Sequence, residues 1–418
     1  DLMDAPSKKK PAELSIGRNM LWNSAGSLTY LALQWAITIV IVRLSSGYDA
    51  AGVLALAMTV FNIFSPLAIY RMYTYQVSDV KRENTLGEYA TFRIITCAAA
   101  FAGCLVYAAL TCPSSTFVAI LLYALFKIAS LVIDVLHGED QLNMRMDYIG
   151  KSLMLQGIGT FVVFCTVLAC TSSIEAAIAG MLVVTCIVGL VYDLPRTRMF
   201  SRIKLGIAKE KVLHLLAYCL PIVLAAIACA VVPSVPRQYL SILGGDAALG
   251  VYASVAAPAA VIQMSASYIY NPLLSLFSQR YISGDITGFR KLFGRALAAI
   301  AALGIAGIAG YMLLGPWILP LVFGESISAH LDLILPVSVM TAVSALLWFA
   351  NDLLVTIRQF KNALIGNVIS LAVTIPSSLF LVPLYGGNGV SFSIIISYLA
   401  GIASMVALSA IEQKRKKK

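Results

Sequence analysis

Apolar residues run along this chain in twelve stretches of about 20 residues or more, each long enough to cross a hydrocarbon core as a helix. They lie approximately at 19–42, 50–73, 92–111, 115–137, 150–170, 174–194, 212–234, 247–277, 292–314, 331–356, 360–382 and 389–411. The pattern predicts an all-α integral membrane protein with twelve transmembrane helices. Alternate connections are short; the longest on that side, 235–246 and 315–330, are too small to fold as separate domains. On the other side the longest runs from Pro195 to Lys211. There Arg196, Arg198, Arg202, Lys204, Lys209 and Lys211 are interleaved with Met199, Phe200, Ile203, Leu205 and Ile207, which predicts a helix lying in the membrane surface.

This basic segment leaves six spans before it and six after. The predicted organisation is an N-terminal lobe (1–194), a linker (195–211) and a C-terminal lobe with a basic tail (212–418). Two six-helix bundles joined by a surface linker are the build expected of an alternating-access carrier with its site between the bundles. The repeat rests on span count and spacing. Pro66, Pro221, Pro258, Pro336 and Pro376 interrupt spans, where proline kinks a helix and neighbours re-satisfy the freed carbonyl.

Charge fixes the orientation. With the N-terminus inside, 27 of the 30 lysines and arginines fall on inner segments and helix ends, against Arg43 and Arg237 outside and Lys127 within a span. Both termini are therefore expected in the cytoplasm. A composition 60% hydrophobic and 12% charged, with a mean hydropathy of +0.87, excludes a soluble domain. The net charge of +10 then reflects topology and contact with anionic membrane lipids, not nucleic acid, and the tail Lys414–Lys418 reads the same way. Polar Ser7–Arg18 ahead of a full-length apolar stretch predicts an anchor rather than a cleavable signal, and Asp at position 1 suggests a chain trimmed at its start. The eight cysteines (97, 104, 112, 165, 170, 186, 219, 229) lie in spans or at their ends, without Cys-x-x-Cys spacing, and His137, His214 and His330 are far apart. Packing explains them better than a metal, and no cofactor is implied. Cys112 and Cys170 both end outward-going helices, which leaves a disulfide open without indicating one.

Lys127 is the sharpest candidate, because an ammonium near mid-membrane costs about 2.5–3.5 kcal/mol on insertion scales. Tyr123, Lys127, Ser130, Asp134 and His137 follow at spacings of 4, 3, 4 and 3 and share one helical face, which should line a polar interior. Lys127 and Asp134 are two turns apart, about 10.5 Å in rise, so each should meet another partner. A cationic site for phosphate or carboxylate and a structural ion pair are the two readings of that face. Asn23, Ser27, Tyr30 and Gln34 in the first span, and Gln263, Ser267 and Tyr270 in the eighth, form similar stripes. They suit a hydrophilic cavity and interhelical hydrogen bonding equally. Asn351, Asp352 and Asp193, at inner span ends, read as exposed boundary groups, with a coupling ion as the alternative use of a carboxylate.

Gly150-Lys151-Ser152 looks like the end of a phosphate-binding loop, but Arg145 stands where its first glycine is required. With no Gly-x-Ser-x-Gly elbow, no His-Glu-x-x-His pair and no dinucleotide fingerprint, neither an ATPase nor a covalent enzyme is indicated. Thr85-x-x-Glu88 reads as a capping box opening the third span.

Ile16-Gly17-Arg18-Asn19 followed by Leu21-Trp22-Asn23-Ser24-Ala25-Gly26 resembles the first helix of oligosaccharide flippases. These form the polysaccharide transporter family of the multidrug/oligosaccharidyl-lipid/polysaccharide exporter superfamily. Ala51-Gly52-Val53 with Ala55-Leu56-Ala57, Tyr75-Gln76-Val77-Ser78-Asp79, the segment Asp134 to Arg145, Tyr252 with Pro258, and Tyr385-Gly386-Gly387-Asn388-Gly389-Val390 extend the resemblance in order along the chain. It implies a MATE-like fold of two V-shaped six-helix lobes around a cationic cavity. The implied activity is transfer of undecaprenyl-diphosphate-linked oligosaccharide from the inner to the outer leaflet of the bacterial plasma membrane, with glycan-assembly proteins as partners. Related lipid II flippases resemble fourteen-span proteins with a central arginine cluster, so their diphosphate contacts do not transfer here. Lys127 with the polar faces of the first and eighth spans would hold such a substrate, and Arg18, Arg71 and Arg93 at the inner rim would capture its diphosphate. The same fold exports small cationic drugs, which favours buried carboxylates and aromatics. A membrane polymerase or ligase of lipid-linked glycans would need a larger outer loop, and a twelve-span solute carrier of the other common fold shares the span count.

Overall fold

The computed structural model describes residues 12–45, 47–79, 82–270 and 273–415, so Lys8–Lys10 and Lys416–Lys418 lie outside the described residues. Helices α1 (Ile16–Leu44), α2 (Asp49–Ile69), α3 (Met72–Ser78), α4 (Leu86–Thr111), α5 (Phe117–Leu142), α6 (Met146–Thr171), α7 (Ile174–Ile187) and α8 (Leu194–Thr197) precede the basic segment. After it come α9 (Lys209–Tyr270), α10 (Leu274–Ile282), α11 (Ile286–Phe323), α12 (Ile334–Thr356) and α13 (Phe360–Arg415). No strand occurs among the described residues. In hydrocarbon every N–H and C=O must find its partner within the segment, which is what α-helices achieve.

Ten helices are long and apolar enough to cross a membrane. Two of them hold two spans each. At 62 residues α9 would be about 93 Å long if straight, and it breaks at Gly245, whose φ of 77° lies in the left-handed region open to glycine. The 56-residue α13 breaks at Gly386, with φ 54° and ψ −126°. Counting these halves gives the twelve spans expected. Leu110, Leu313, Trp317, Leu321 and Phe380 are each more than 70% exposed, a surface that a bilayer covers.

The chain forms two compact units, residues 1–44 with 64–219, and residues 45–63 with 220–418. The basic segment falls within the first unit, and the first part of α2 falls within the second. In the first unit α1 packs closely on α6, because a Cβ at Gly26 would stand 2.4 Å from the Gly150 Cα. Gly150 therefore serves helix contact, the small-residue packing of membrane bundles, and not a phosphate loop. The capping box is present: the Glu88 N–H donates to Thr85 Oγ1 at 3.3 Å and the Thr85 N–H to Glu88 Oε2 at 2.8 Å. All eight cysteines are free thiols.

Two expectations need correction. The segment 201–208 is not a surface helix but chain without regular secondary structure, lying on the start of α4. A Cβ at Gly87 would meet the Lys204 carbonyl oxygen at 1.8 Å, the Gly206 N–H donates to Thr91 Oγ1 at 2.8 Å, and Lys211 pairs with Glu88 at 2.8 Å. Its charges alternate with apolar residues at a period of two, the period of extended chain. Second, 235–246 is not an outer loop. α9 runs unbroken to Gly244 and carries Arg237 inside it.

Candidate functional site

In the first unit α5 carries the candidate face. Its apolar residues hold it in the bundle, with Ala119, Ile120, Ala124 and Phe126 fully buried. Tyr123 is 5% exposed and meets Phe126 edge-to-face at 5.8 Å. The half-buried Lys127 places its Nζ 5.6 Å from the Tyr123 ring centre and 5.1 Å from that of Phe126. Among the described residues no carboxylate comes within ion-pair distance of it, and Asp134 acts on it only through longer-range attraction. Each cation–π contact contributes on the order of 0.5–2 kcal/mol. That offsets part of the ammonium's insertion cost and leaves its hydrogen-bonding capacity free for an anion.

Tyr30 of α1 brings its hydroxyl into hydrogen-bonding reach of Ser130 and within electrostatic range of Asp134 and Tyr123. The structure thus joins Tyr30, Tyr123, Lys127, Ser130 and Asp134 from two helices. The Asp134 side chain is 41% exposed, and its Oδ1 lies 3.9 Å from His137 Nδ1. This is a cation and a carboxylate about two turns apart on one strip, separated by hydroxyls and rings.

The rest of the first-span stripe divides. Gln34 Nε2 donates to Thr160 Oγ1 at 3.0 Å, an interhelical tie between α1 and α6. Asn23 and Ser27 are half-buried. Asn19, not singled out before, is 2% exposed and does structural work, donating to the Leu14 and Met144 carbonyls and accepting from the Met146 N–H.

Of the rim cations, Arg18 and Arg71 are exposed. Arg93 is not a rim cation: it is 1% exposed and donates to the carbonyls of Ala68 and Ile69 at 2.9 and 2.7 Å. It caps the C-terminal end of α2, where unpaired carbonyls favour a cation. The eighth-span stripe belongs to the second unit. There Tyr270 is 1% exposed and donates to Asp352 Oδ2 at 2.9 Å, and Ser267 donates to its own helix at the Met264 carbonyl. Gln263 is half-buried. Asp352 is therefore a hydrogen-bonded helix–helix partner rather than a free boundary group.

Asp193 also departs from expectation, being fully buried rather than exposed. It ends a π-helical turn, Val188–Asp193, of the kind frequent at functional sites. Asp193 faces His137 Nε2 at 3.3 Å and accepts from Ser152 Oγ at 2.8 Å, and Ser152 accepts from Gln156 Nε2 at 3.0 Å. Fully buried Asp140 accepts from Thr197 Oγ1 at 3.3 Å. An imidazole between Asp134 and Asp193 is a group able to take and release a proton, and the π turn is what brings Asp193 to it. In sequence the partners are 56 and 41 residues away, so only the place of His137 on the α5 face pointed here.

The connection between α3 and α4 carries Asp79, which accepts from the Tyr89 hydroxyl at 2.7 Å and from the N–H groups of Glu83 and Asn84. Partial burial pushes its carboxyl up, but these hydrogen bonds outweigh it and hold the group below the ordinary aspartate range.

No protein-family model and no curated protein sequence matches the chain. Solved structures do resemble it over nearly its whole length. An inward-facing multidrug resistance MATE family transporter of the MOP superfamily aligns with a TM-score of 0.68 at 13% identity, covering 96% of this chain and 99% of that one. Lipid II flippase MurJ in an inward closed conformation aligns at 0.69 and 12% identity, covering 94% and 87%. A MOP superfamily transporter from Pyrococcus furiosus, described by the reverse polarity of its binding pocket, aligns at 0.58 and 15%, covering 96% of each chain. At such identities the likeness is one of fold. The chain has the all-helical, MATE-like fold of MOP superfamily transporters.

Proposed function

We propose that this chain is a flippase, moving an undecaprenyl-diphosphate-linked oligosaccharide from the inner to the outer leaflet of a bacterial plasma membrane for cell-surface polysaccharide synthesis. The observation that carries the proposal is the half-buried Lys127 ammonium, free of any ion pair among the described residues and set among Tyr30, Tyr123 and Ser130. A diphosphate is the kind of group such a cation binds, and hydroxyl-bearing rings suit a sugar. The substrate's tail never has to leave hydrocarbon, so a polar strip open to one side is sufficient. Exposed Arg18 and Arg71 would receive the diphosphate at the inner rim. The likeness to a lipid II flippase supports the class of cargo. On this reading the protein is a carrier and not an enzyme, its two six-helix lobes alternate in access, its termini are cytoplasmic, and it works beside glycan-assembly proteins in an anionic membrane.

A second reading, export of small organic cations, is favoured by the half-exposed Asp134 carboxylate beside aromatic rings and by the MATE neighbours. The two separate in vesicles containing the purified protein. A fluorescent undecaprenyl-diphosphate oligosaccharide should become accessible on the opposite leaflet faster than in protein-free vesicles. Efflux of a cationic dye without lipid transfer would replace the flippase reading by the exporter one.

A further inference from the structure

Arg237 stands in the first half of α9, eight residues before the Gly245 break, about 12 Å along the helix from that end. It is half-buried, and its Nε is fully buried without a hydrogen-bond partner. The Tyr252 hydroxyl lies near its guanidinium and donates to Met340 Sδ at 3.3 Å, and Tyr398 lies within its electrostatic range. Tyr252 follows Gly245 by seven residues, and the Tyr252 and Ser391 hydroxyls are 3.1 Å apart. Tyr252, Ser391 and Tyr398 are all buried. No carboxylate forms an ion pair with Arg237 among the described residues. Three acids of this unit are hydrogen-bonded elsewhere: Asp246 with Ser241, Asp352 with Tyr270 and Asp332 with Asn388.

A partly buried guanidinium is expensive unless an anion or a set of acceptors meets it, and here the acceptors are few. We propose that Arg237 is the centre of an anion-binding site within the second unit, taking a phosphate-type oxyanion against its free N–H edge. Tyr252 interacts with it, the Ser391 hydroxyl lies 3.1 Å from that of Tyr252, and Tyr398 is within its electrostatic range, so hydroxyls able to reorient toward an anion come from the same neighbourhood. Donors arriving from α9 and α13 in addition to the planar fork suit a tetrahedral oxyanion better than a flat carboxylate. The oxyanion comes either from a lipid phosphate or from free phosphate. The site stands on this unit's own residues, whether or not the chain moves a lipid-linked glycan.

The test uses the full-length protein carrying Lys127→Ala, which removes the candidate cation of the first unit. In detergent, sodium pyrophosphate should raise its thermal midpoint saturably against sodium chloride at matched ionic strength. Adding Arg237→Gln should abolish that shift, and Arg237→Lys should weaken half-saturation by about tenfold, since charge is kept and the fork lost. Should Arg237→Gln not fold, Tyr398→Phe and Tyr252→Phe should each weaken half-saturation. In nanodiscs of phosphatidylcholine, phosphatidic acid at roughly a tenth of the lipid should protect in the same Arg237-dependent way if the source is a lipid. Protection by pyrophosphate alone supports the site with a soluble source, and by phosphatidic acid alone with a lipid source. An absent shift in both arms, or an equal shift in the Arg237→Gln protein, overturns the proposal.

Discussion

The two units handle buried polarity in different ways. In the first, charged groups meet one another: Asp134, His137, Asp193 and Ser152 form a connected thread, and Arg93 caps helix carbonyls. In the second, the buried polar residues are mostly hydroxyls turned back on their own helices. Ser338, Thr341, Ser344, Thr374, Ser378 and Ser397 each donate to the carbonyl four residues earlier at 2.6–2.8 Å. Back-bonded hydroxyls satisfy themselves locally and specify little across helices. A buried imidazole–carboxylate pair fixes partners from different helices and leaves a costly orphan when broken. The first unit is thus built around titratable chemistry, whereas the second is a bundle rich in self-bonded hydroxyls in which Arg237 forms no ion pair among the described residues.

That contrast sets the order of expected effects. Asp193→Ala strands His137 and Ser152 in a buried site and should destabilise the protein by about 3–5 kcal/mol. Thermal unfolding in detergent reads this, and Asp193→Asn should recover part of the loss by keeping an acceptor. A midpoint unchanged by Asp193→Ala would show that the thread is not structural. Ser393→Ala removes a hydroxyl shared with Ser377 at 2.7 Å and Ser378 at 2.9 Å, yet should cost only about 1 kcal/mol, because those neighbours retain their bonds to the Thr374 carbonyl. Equal losses from Asp193→Ala and Ser393→Ala would erase the distinction between the units.

Smaller effects are expected at the connections that flank α4. Lys211→Ala breaks a half-exposed pair with Glu88 and should cost no more than about 0.5 kcal/mol, while protease cleavage in 201–208 speeds up as the strap loosens. Asp79 should give the weakest signal. Its carboxyl lies below the ordinary range when folded, so its contribution is present above the unfolded pKa of about 3.9 and is lost as pH falls through the folded value. Solvent screening keeps this under about 1 kcal/mol. Comparing acid unfolding of the native protein with Asp79→Asn should show a slightly shallower loss in the variant.

Much of this was legible in the residues. The twelve spans follow from apolar run length, even where α9 and α13 each continue through two of them, because Gly244-Gly245 and Gly386-Gly387 mark the breaks. The α5 face was legible because spacings of 3 and 4 are a local property. Three things were not. The alternation in 201–208 has the period of extended chain, and reading it as a surface helix weighed its charge above its spacing. Pro233 and Pro236 next to Arg237 resemble a loop, so the arginine was placed in one, yet both prolines are accommodated inside α9. Asp193 looked like a boundary group because its burial depends on a π turn and on partners far away in sequence.

The central claim is that Lys127 is a binding cation held ready by its neighbours and not a structural pair. Lys127→Ala and Lys127→Arg should be compared with the unaltered protein for thermal midpoint and for leaflet transfer of an undecaprenyl-diphosphate oligosaccharide in vesicles. The account predicts a folded Lys127→Ala protein, its midpoint little changed, with transfer lowered about tenfold or more, and partial activity in Lys127→Arg, where charge is kept and shape is not. A stable Lys127→Ala protein that transfers its lipid at the native rate would contradict it.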